Sequence, residues 1–286
     1  LGFLVYYLSA DTLCLIIKQV ATLKAKKKMV NQLVIYDQKD EISVITINRS
    51  DAMNSFNSEL RRELYTAINR AATDESIKVV VLTGKGRSFS AGADLNVIGE
   101  SVDTAKVLQK EYRPILDTII TMPKPIIAAV GGSAAGIGMS FALSCDLLIM
   151  AEDAFLLAPF TNISLVPDGG LNWLLVHQLG YRRALQLSIE SERIDALRCV
   201  ELGLANKVVP AASLFKEAQD WAQKLSLRAP LSLAATKKIM RFAATNDWAS
   251  TYDLEVKLNT GLRITDDHVE GVAAFLEKRK ANFEGK

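Results

Sequence analysis

Apolar residues recur along this chain at two spacings, and the spacings divide it into regions. In LVIYDQ at 33–38 and ISVITIN at 42–48, β-branched residues flank a polar KDE, which predicts a hairpin. Beyond it, Leu60, Leu64, Ala67, Ile68 and Ala71 repeat at helical intervals, and Asn57 or Ser58 stands where a helix needs its cap. VVVLTG at 79–84, PIIAAVGG at 125–132 and DLLIMAE at 146–152 are short unbroken apolar runs, as strands buried on both faces are. A helix is expected over 102–122, stopping before Pro123 and Pro125. From residue 181 onward the spacing is helical, with segments near 181–190, 195–203, 211–227, 230–245, 249–262 and 266–281. Strands alternating with helices predict an α/β layered core, followed by a helical C-terminal part. No internal repeat or low-complexity linker separates the two.

Composition narrows the function classes. The 34 basic and 32 acidic residues leave a net charge of +2, which gives no global field to steer a nucleic acid. Basic residues are not interleaved with aromatics, so a nucleic-acid role is not expected. Cys14, Cys145 and Cys199 are far apart, and His177 and His268 have no neighbour at ligand spacing. Neither a disulfide framework nor a metal site is expected, which fits a reducing compartment such as the cytoplasm.

The N-terminal stretch LGFLVYYLSADTLCLII at 1–17 is apolar but interrupted by Asp11, and its basic cluster LKAKKK at 23–28 comes after it. A signal peptide carries that charge before its apolar run, and a spanning helix needs about 20 clean apolar residues. No membrane span is therefore expected, although an apolar face beside a basic cluster also suits a membrane-surface helix. Met29 opens a segment that reads like the start of a domain, so residues 1–28 are expected to form an extension outside the fold.

Three stretches could carry chemistry. GKGRSFSAGADL at 84–95 and VGGSAAGIGMSFALSCD at 130–146 are Gly-rich breaks following predicted strands. Ligands of α/β sheets bind beyond the carboxyl ends of strands, where backbone N–H groups at a helix start can hold an anion or a developing oxyanion. Neither stretch is G-x-G-x-x-G, no phosphate-binding G-x-x-x-x-G-K-[ST] exists, and Ser140 lacks both a G-x-S-x-G frame and a partner His. The third stretch, SLVPDGG at 164–170, makes a good turn on its own terms, since Pro presets φ, Asp caps and Gly takes positive φ. Whether Asp168 is there for the turn or for its carboxylate is open at the level of spacing.

SFSAGADL, KPIIAAVGGSAAGIGMSFALSCDLLIMAEDAFLLAPF and LVPDGG together resemble the crotonase (enoyl-CoA hydratase/isomerase) superfamily, over roughly residues 30–286 and including the closing AAFLEKRKANF. The resemblance implies a spiral β-β-α core at 29–205 and a helical trimerisation region at 206–286. It also implies acyl-CoA thioester substrates, with CoA part of the substrate and no separate cofactor, and assembly as trimers or hexamers. The family's oxyanion donors map to the backbone N–H groups of Ala93 and Ile137. Ala52 and Met53 match the loop that lines the CoA pocket, and Ala91, Asp94, Leu95, Asn96 and Gly136 border the substrate.

The two glutamates that place water in the family's hydratases fall at Ser140 and Phe160 here, so paired acid–base work on water is not expected. Asp168 occupies the position of the single acidic residue of the enoyl-CoA isomerase branch, and APFTNI at 158–163 is similar to that branch. The resemblance thus implies a 1,3-proton shift on a 3-enoyl-CoA in fatty-acid β-oxidation. A carboxyl with an ordinary pKa near 3.9 is a poor base and a worse acid, so its pocket should be dry, with Phe160, Leu165 and Val166 as apolar neighbours. A ring-epoxide isomerase of phenylacetyl-CoA metabolism shares the P-D-x-G-G loop and is the nearest rival, with an enoyl-CoA hydratase-like enzyme as a further alternative. An aryl-CoA dehalogenase would also need a His in the early loops. An acyl-CoA binder without turnover is the rival of another class. Asp146, Arg87, His177 and the Lys278–Lys280 run are expected to be structural or solvated.

Overall fold

The computed structural model describes residues 32–97 and 103–286; the expected extension at 1–28 lies outside the described residues. β1 (Val34–Lys39) and β2 (Ile42–Ile47) form the expected antiparallel hairpin, with Val34 opposite Ile47 and Lys39 opposite Ile42. α1 (Ser58–Thr73) follows, capped by the Asn57 side chain, which accepts from the Leu60 N–H. Its buried stripe is Leu60, Leu64, Ala67, Ile68 and Ala71, as the spacing predicts. Leu60, Leu64 and Ile68 are fully buried, and each contributes about 1.5–3 kcal/mol of apolar transfer energy.

The chain then winds between two sheets. β3 (Val79–Gly84) leads into β4 (Ser88–Ser90), β5 (Ile126–Val130) into β6 (Ser133–Ala135), and β7 (Leu147–Ala151) into β8 (Phe155–Leu157). In each pair the first strand joins a six-stranded sheet, order β1-β2-β3-β5-β7-β10, with β10 at Lys207–Val209. The second strand joins a four-stranded sheet, order β4-β6-β8-β9, with β9 at Ile194–Asp195. Pairing is parallel except at β1–β2 and β8–β9. Between β4 and β5 the chain passes through Thr104–Val107 and a π-helical turn, Leu108–Tyr112, into α2 (Arg113–Thr121), which ends before Pro123. α3 (Ile137–Ser144) lies between β6 and β7. Two strands and a helix per turn make the β-β-α spiral that the resemblance implies.

α4 (Leu171–Leu179), α5 (Tyr181–Glu190) and α6 (Ala196–Glu201) follow β8, and then α7 (Leu214–Ser226). α7 presses Ala218 and Ala222 onto Ile42, Val44, Val79, Val81, Ile127, Ala129 and Ile149 of the larger sheet. The small side chains let the helix approach the sheet closely, and this is where the core is anchored. α8 (Pro230–Ala243), α9 (Trp248–Leu262) and α10 (Asp266–Glu277) complete the chain and leave Trp248, Ile264, Phe275 and Leu276 exposed.

The structure departs from the sequence expectation at the short strands. β4 and β6 fall in the Gly-rich breaks, β8 in a stretch with no predicted element, and β9 and β10 interrupt a region expected to be helical. None exceeds three residues, so none can display a period, and β4 and β6 are built of Ser, Ala and a single Phe.

Candidate active site

Two loops meet at the carboxyl ends of β4 and β6. Gly92 takes φ +95°, and a Cβ there would fall 2.8 Å from the Ala135 carbonyl oxygen, so only glycine fits. A Cβ on Gly136 would lie 3.7 Å from the Gly92 Cα and 3.9 Å from Phe160 Cζ. The residues that follow these two glycines are Ala93 and Ile137. Ala93 forms a one-residue parallel bridge with Phe56, which uses the N–H groups of Phe56 (2.8 Å to Gly92 O) and Asp94 (3.1 Å to Phe56 O). Ile137 opens α3 behind Gly136, which supplies no side-chain cap. Neither the Ala93 nor the Ile137 N–H has an acceptor among the described residues. A pair of free N–H groups, one at a helix start, suits an oxygen that gains negative charge.

The loop at 49–56 braces this arrangement. Asn54, fully buried, donates to Lys85 O (3.0 Å) and Ser88 O (2.6 Å) and accepts from the Arg49 N–H (2.9 Å). Ser90 Oγ donates to Asn54 O (2.8 Å) and accepts from the Gly92 N–H (3.1 Å), while the Ala91 N–H donates to Met53 O (2.9 Å). The 49–56 loop, which carries Ala52 and Met53, is thereby joined to the segment of Ala91 and Asp94. Asp94 accepts from the Asn96 N–H (3.1 Å) and pairs with Arg49 at 2.6 Å. The Asn96 N–H, aided by Arg49, holds its carboxyl below the ordinary value against the effect of burial. Leu95 and Asn96 are exposed on the short turn Leu95–Val97.

Asp168 belongs to a turn that lies on α3. A Cβ on Gly169, at φ +61°, would fall 2.9 Å from Ser140 Cβ and 3.1 Å from Ile137 Cγ1. Ser140 Oγ donates to Asp168 O (2.9 Å), and Asn172 Nδ2 donates to Pro167 O (2.6 Å). Asp168 Oδ1 is buried and has no hydrogen-bond partner among the described residues. Burial pushes the carboxyl up from its ordinary value to about 6. Burial likewise pushes the Tyr112 hydroxyl up to about 12 against the opposing Arg61 guanidinium, with smaller upward contributions from the Asp168 and Glu111 charges. Tyr112 ends the π-helical turn and packs its ring on Phe56 (centroids 5.8 Å) and Phe141 (6.2 Å).

One expectation changes: Leu165 and Val166 are 53% and 76% exposed, so they are not the buried neighbours expected of Asp168, whose turn rests on α3. Phe160 is buried and lies beside Gly136. Sequence reasoning also missed Tyr112, Asn54 and Arg49. The one signal for Asn54 was its residue type, since Asn tolerates the positive φ (+58°) it adopts. Nothing in the sequence signals Tyr112, because a π turn sets where it points. Cys145 and Cys199 are buried, and burial pushes both thiols up, which makes them inert.

Among the described residues no three His, Cys, Asp or Glu side chains converge as metal donors, and no helix is long and apolar enough to cross a membrane. Cavities of about 970 and 730 Å³ are lined largely by the C-terminal helices α8 to α10, one of about 540 Å³ lies between α4, α8 and the α3–β7 junction, and Ala93, Ile137 and Asp168 line none of them. The two free N–H groups and the Asp168 carboxyl, whose Oδ1 lacks a partner, gather instead around the first turn of α3. Such a set can take a proton beside a carbonyl group whose oxygen the N–H groups hold.

Comparison with known proteins shows the family and the fold. The family described as enoyl-CoA hydratase/isomerase matches residues 37–286. A probable enoyl-CoA hydratase of Rhodobacter capsulatus is 36% identical over 252 residues, covering 88% of this chain and 97% of that protein. The 1,2-epoxyphenylacetyl-CoA isomerase of Escherichia coli is 34% identical, covering 86% and 95%. The crystal structure of an enoyl-CoA hydratase from Bacillus anthracis superposes with a TM-score of 0.85 at 30% identity, covering 89% and 100%.

Proposed function

The chain belongs to the enoyl-CoA hydratase/isomerase family of the crotonase superfamily, and on that premise we propose that it isomerises 3-enoyl-CoA thioesters to their 2-trans isomers. The observation that carries this reading is the single buried carboxyl oxygen of Asp168, held without a partner on α3 beside the residue whose N–H is free. In the proposed step the thioester oxygen accepts from the Ala93 and Ile137 N–H groups. Asp168 takes a proton from C2; the C2–H electrons and the C3=C4 π pair spread over a dienolate ending on that oxygen. Protonation of C4 by the same carboxyl leaves the double bond at C2=C3, with no net change of atoms. A carboxyl near pKa 6 populates both base and acid forms near neutrality, as such a two-way transfer needs. Ser140 and Phe160 supply no second carboxylate to activate water.

Ala52, Met53, Ala91, Asp94, Leu95, Asn96, Gly136, Phe160 and Leu165 are proposed to border the acyl-CoA. The exposed Trp248, Phe275 and Leu276 support assembly through the C-terminal helices, as a trimer or hexamer. A place in cytoplasmic fatty-acid β-oxidation goes with this reading. The similarity to the 1,2-epoxyphenylacetyl-CoA isomerase favours one alternative, ring-epoxide isomerisation, which would draw on the same carboxyl and oxyanion donors.

The test is turnover of trans-3-hexenoyl-CoA, crotonyl-CoA and a ring-epoxide acyl-CoA by the wild type and by Asp168→Asn. The reading predicts proton shift on the 3-enoyl substrate, negligible hydration, and a loss of about 10²–10⁴-fold in Asp168→Asn with acyl-CoA binding retained. Preferred turnover of the epoxide selects the alternative, and binding without turnover of any of the three selects a non-catalytic acyl-CoA binder. Hydration as fast as isomerisation, or full activity in Asp168→Asn, contradicts the proposal.

A further inference from the structure

We propose that Ser140 is a positioning residue for Asp168: its hydroxyl locks the Pro167–Gly170 turn onto the first turn of α3, so that the carboxyl cannot swing to a donor or to water. The inference rests on the reading of Asp168 as the proton-transferring group.

Ser140 is fully buried, three residues beyond Ile137, so both project from one face of α3. That face receives the turn, since a Cβ on Gly169 would touch both residues. A helical serine ordinarily bonds back to the carbonyl four residues earlier. For Ser140 that carbonyl belongs to Gly136, yet the hydroxyl donates to Asp168 O at 2.9 Å, 28 residues along the chain. The remaining ties of the turn are local: Leu171 N–H donates to Asp168 O (3.1 Å), and Asn172 Nδ2 donates to Pro167 O (2.6 Å). These local bonds fix the turn on the start of α4. Among the described residues, only the Ser140 bond ties it by hydrogen bonding to the helix that begins with the free Ile137 N–H. Proton-transferring group and oxyanion donor thereby sit on one rigid support, and a small error in such placement costs rate steeply.

Loss of this bond leaves the Asp168 carbonyl one donor, the Leu171 N–H, so the fold persists while the turn loosens. The carboxyl then finds water more often and titrates closer to an ordinary carboxylate. The experiment measures kcat, KM and the pH dependence of kcat/KM on a 3-enoyl-CoA for the full chain carrying Ser140→Ala, Ser140→Cys, Asn172→Ala or Asp168→Asn. Ser140→Ala is expected to lose about tenfold in kcat with KM nearly constant, the effect of one hydrogen bond. Its acid limb should move below the wild-type midpoint near pH 6. Ser140→Cys, with a weaker donor of similar size, should fall between alanine and wild type. Asn172→Ala should shift the acid limb less, because its bond is local to α4. A folded Ser140→Ala with the wild-type kcat and pH profile overturns the positioning role. If Asp168→Asn is inactive in that case, the base assignment survives alone; if Asp168→Asn is active, the base assignment itself has failed.

Discussion

Asp146 and Asp168 are both half-buried aspartates next to α3, one just past its end and one on a turn across its start. Asp146 accepts from the Ile126 N–H (3.0 Å), Lys237 Nζ (2.8 Å) and Arg241 Nη2 (2.9 Å). Lys237 also donates to the carbonyls of Ile119 and Lys124, and Arg241 to that of Ser144, so this carboxylate rivets α8 to the sheet and to the end of α2. Asp168 Oδ1 receives no donor. Burial alone therefore does not mark a reactive carboxyl. Where cations and N–H groups surround the charge it is structural, and where donors are withheld the proton becomes easy to give and to take.

The comparison can be broken at either end, and stability is where its effect is largest. Asp146→Ala leaves the buried Lys237 ammonium, the partly exposed Arg241 and the Ile126 N–H facing an empty site, and should cost up to about 3–5 kcal/mol. Urea unfolding checks this, and a loss below about 1 kcal/mol would mean the rivet is idle. Next comes Ile137→Pro, which deletes the free N–H at a helix position where proline is tolerated. It should lower the turnover rate by about 10²–10³-fold, whereas Ile137→Val, which keeps the N–H, should remain close to wild type. Equal activity in the two would remove the oxyanion role from this residue.

The smallest effect is the pH dependence of Asp168→Asn stability. The folded carboxyl titrates near 6, above its ordinary value of 3.8, so the folded state retains its proton longer than the unfolded chain does. Wild-type stability then falls as pH rises from about 4 to about 6 and levels off above, while the asparagine variant lacks this decline. The variant should match the wild type near pH 4 and exceed it in Tm at pH 7. A wild-type advantage at pH 7 would place a hidden donor on the carboxylate.

The regions that the sequence made legible are those with long patterns. The hairpin, α1 with its Asn57 cap, the apolar strands β3, β5 and β7, and the C-terminal helices all carry periods or apolar runs. The second sheet was not visible, because Ser88–Ser90 and Ser133–Ala135 are too short and too polar to announce strands. The Pro167–Gly170 turn was readable as a turn, and resemblance pointed to its aspartate, but the lack of a partner at Oδ1 depends on tertiary packing. Leu165 and Val166 differ in the opposite sense: their apolar character suggested buried neighbours for Asp168, and both are exposed on the loop. Ser140 read as an absent acid, and only the fold reveals that its hydroxyl is spent on the Asp168 carbonyl.

The most direct test is the titration of the Asp168 carboxyl itself, followed by carbon-13 NMR of labelled aspartate side chains and assigned by difference against Asp168→Asn. A half-buried carboxyl whose Oδ1 has no partner should titrate near 6. A midpoint near 4, in the range of an ordinary solvated aspartate, would contradict the account.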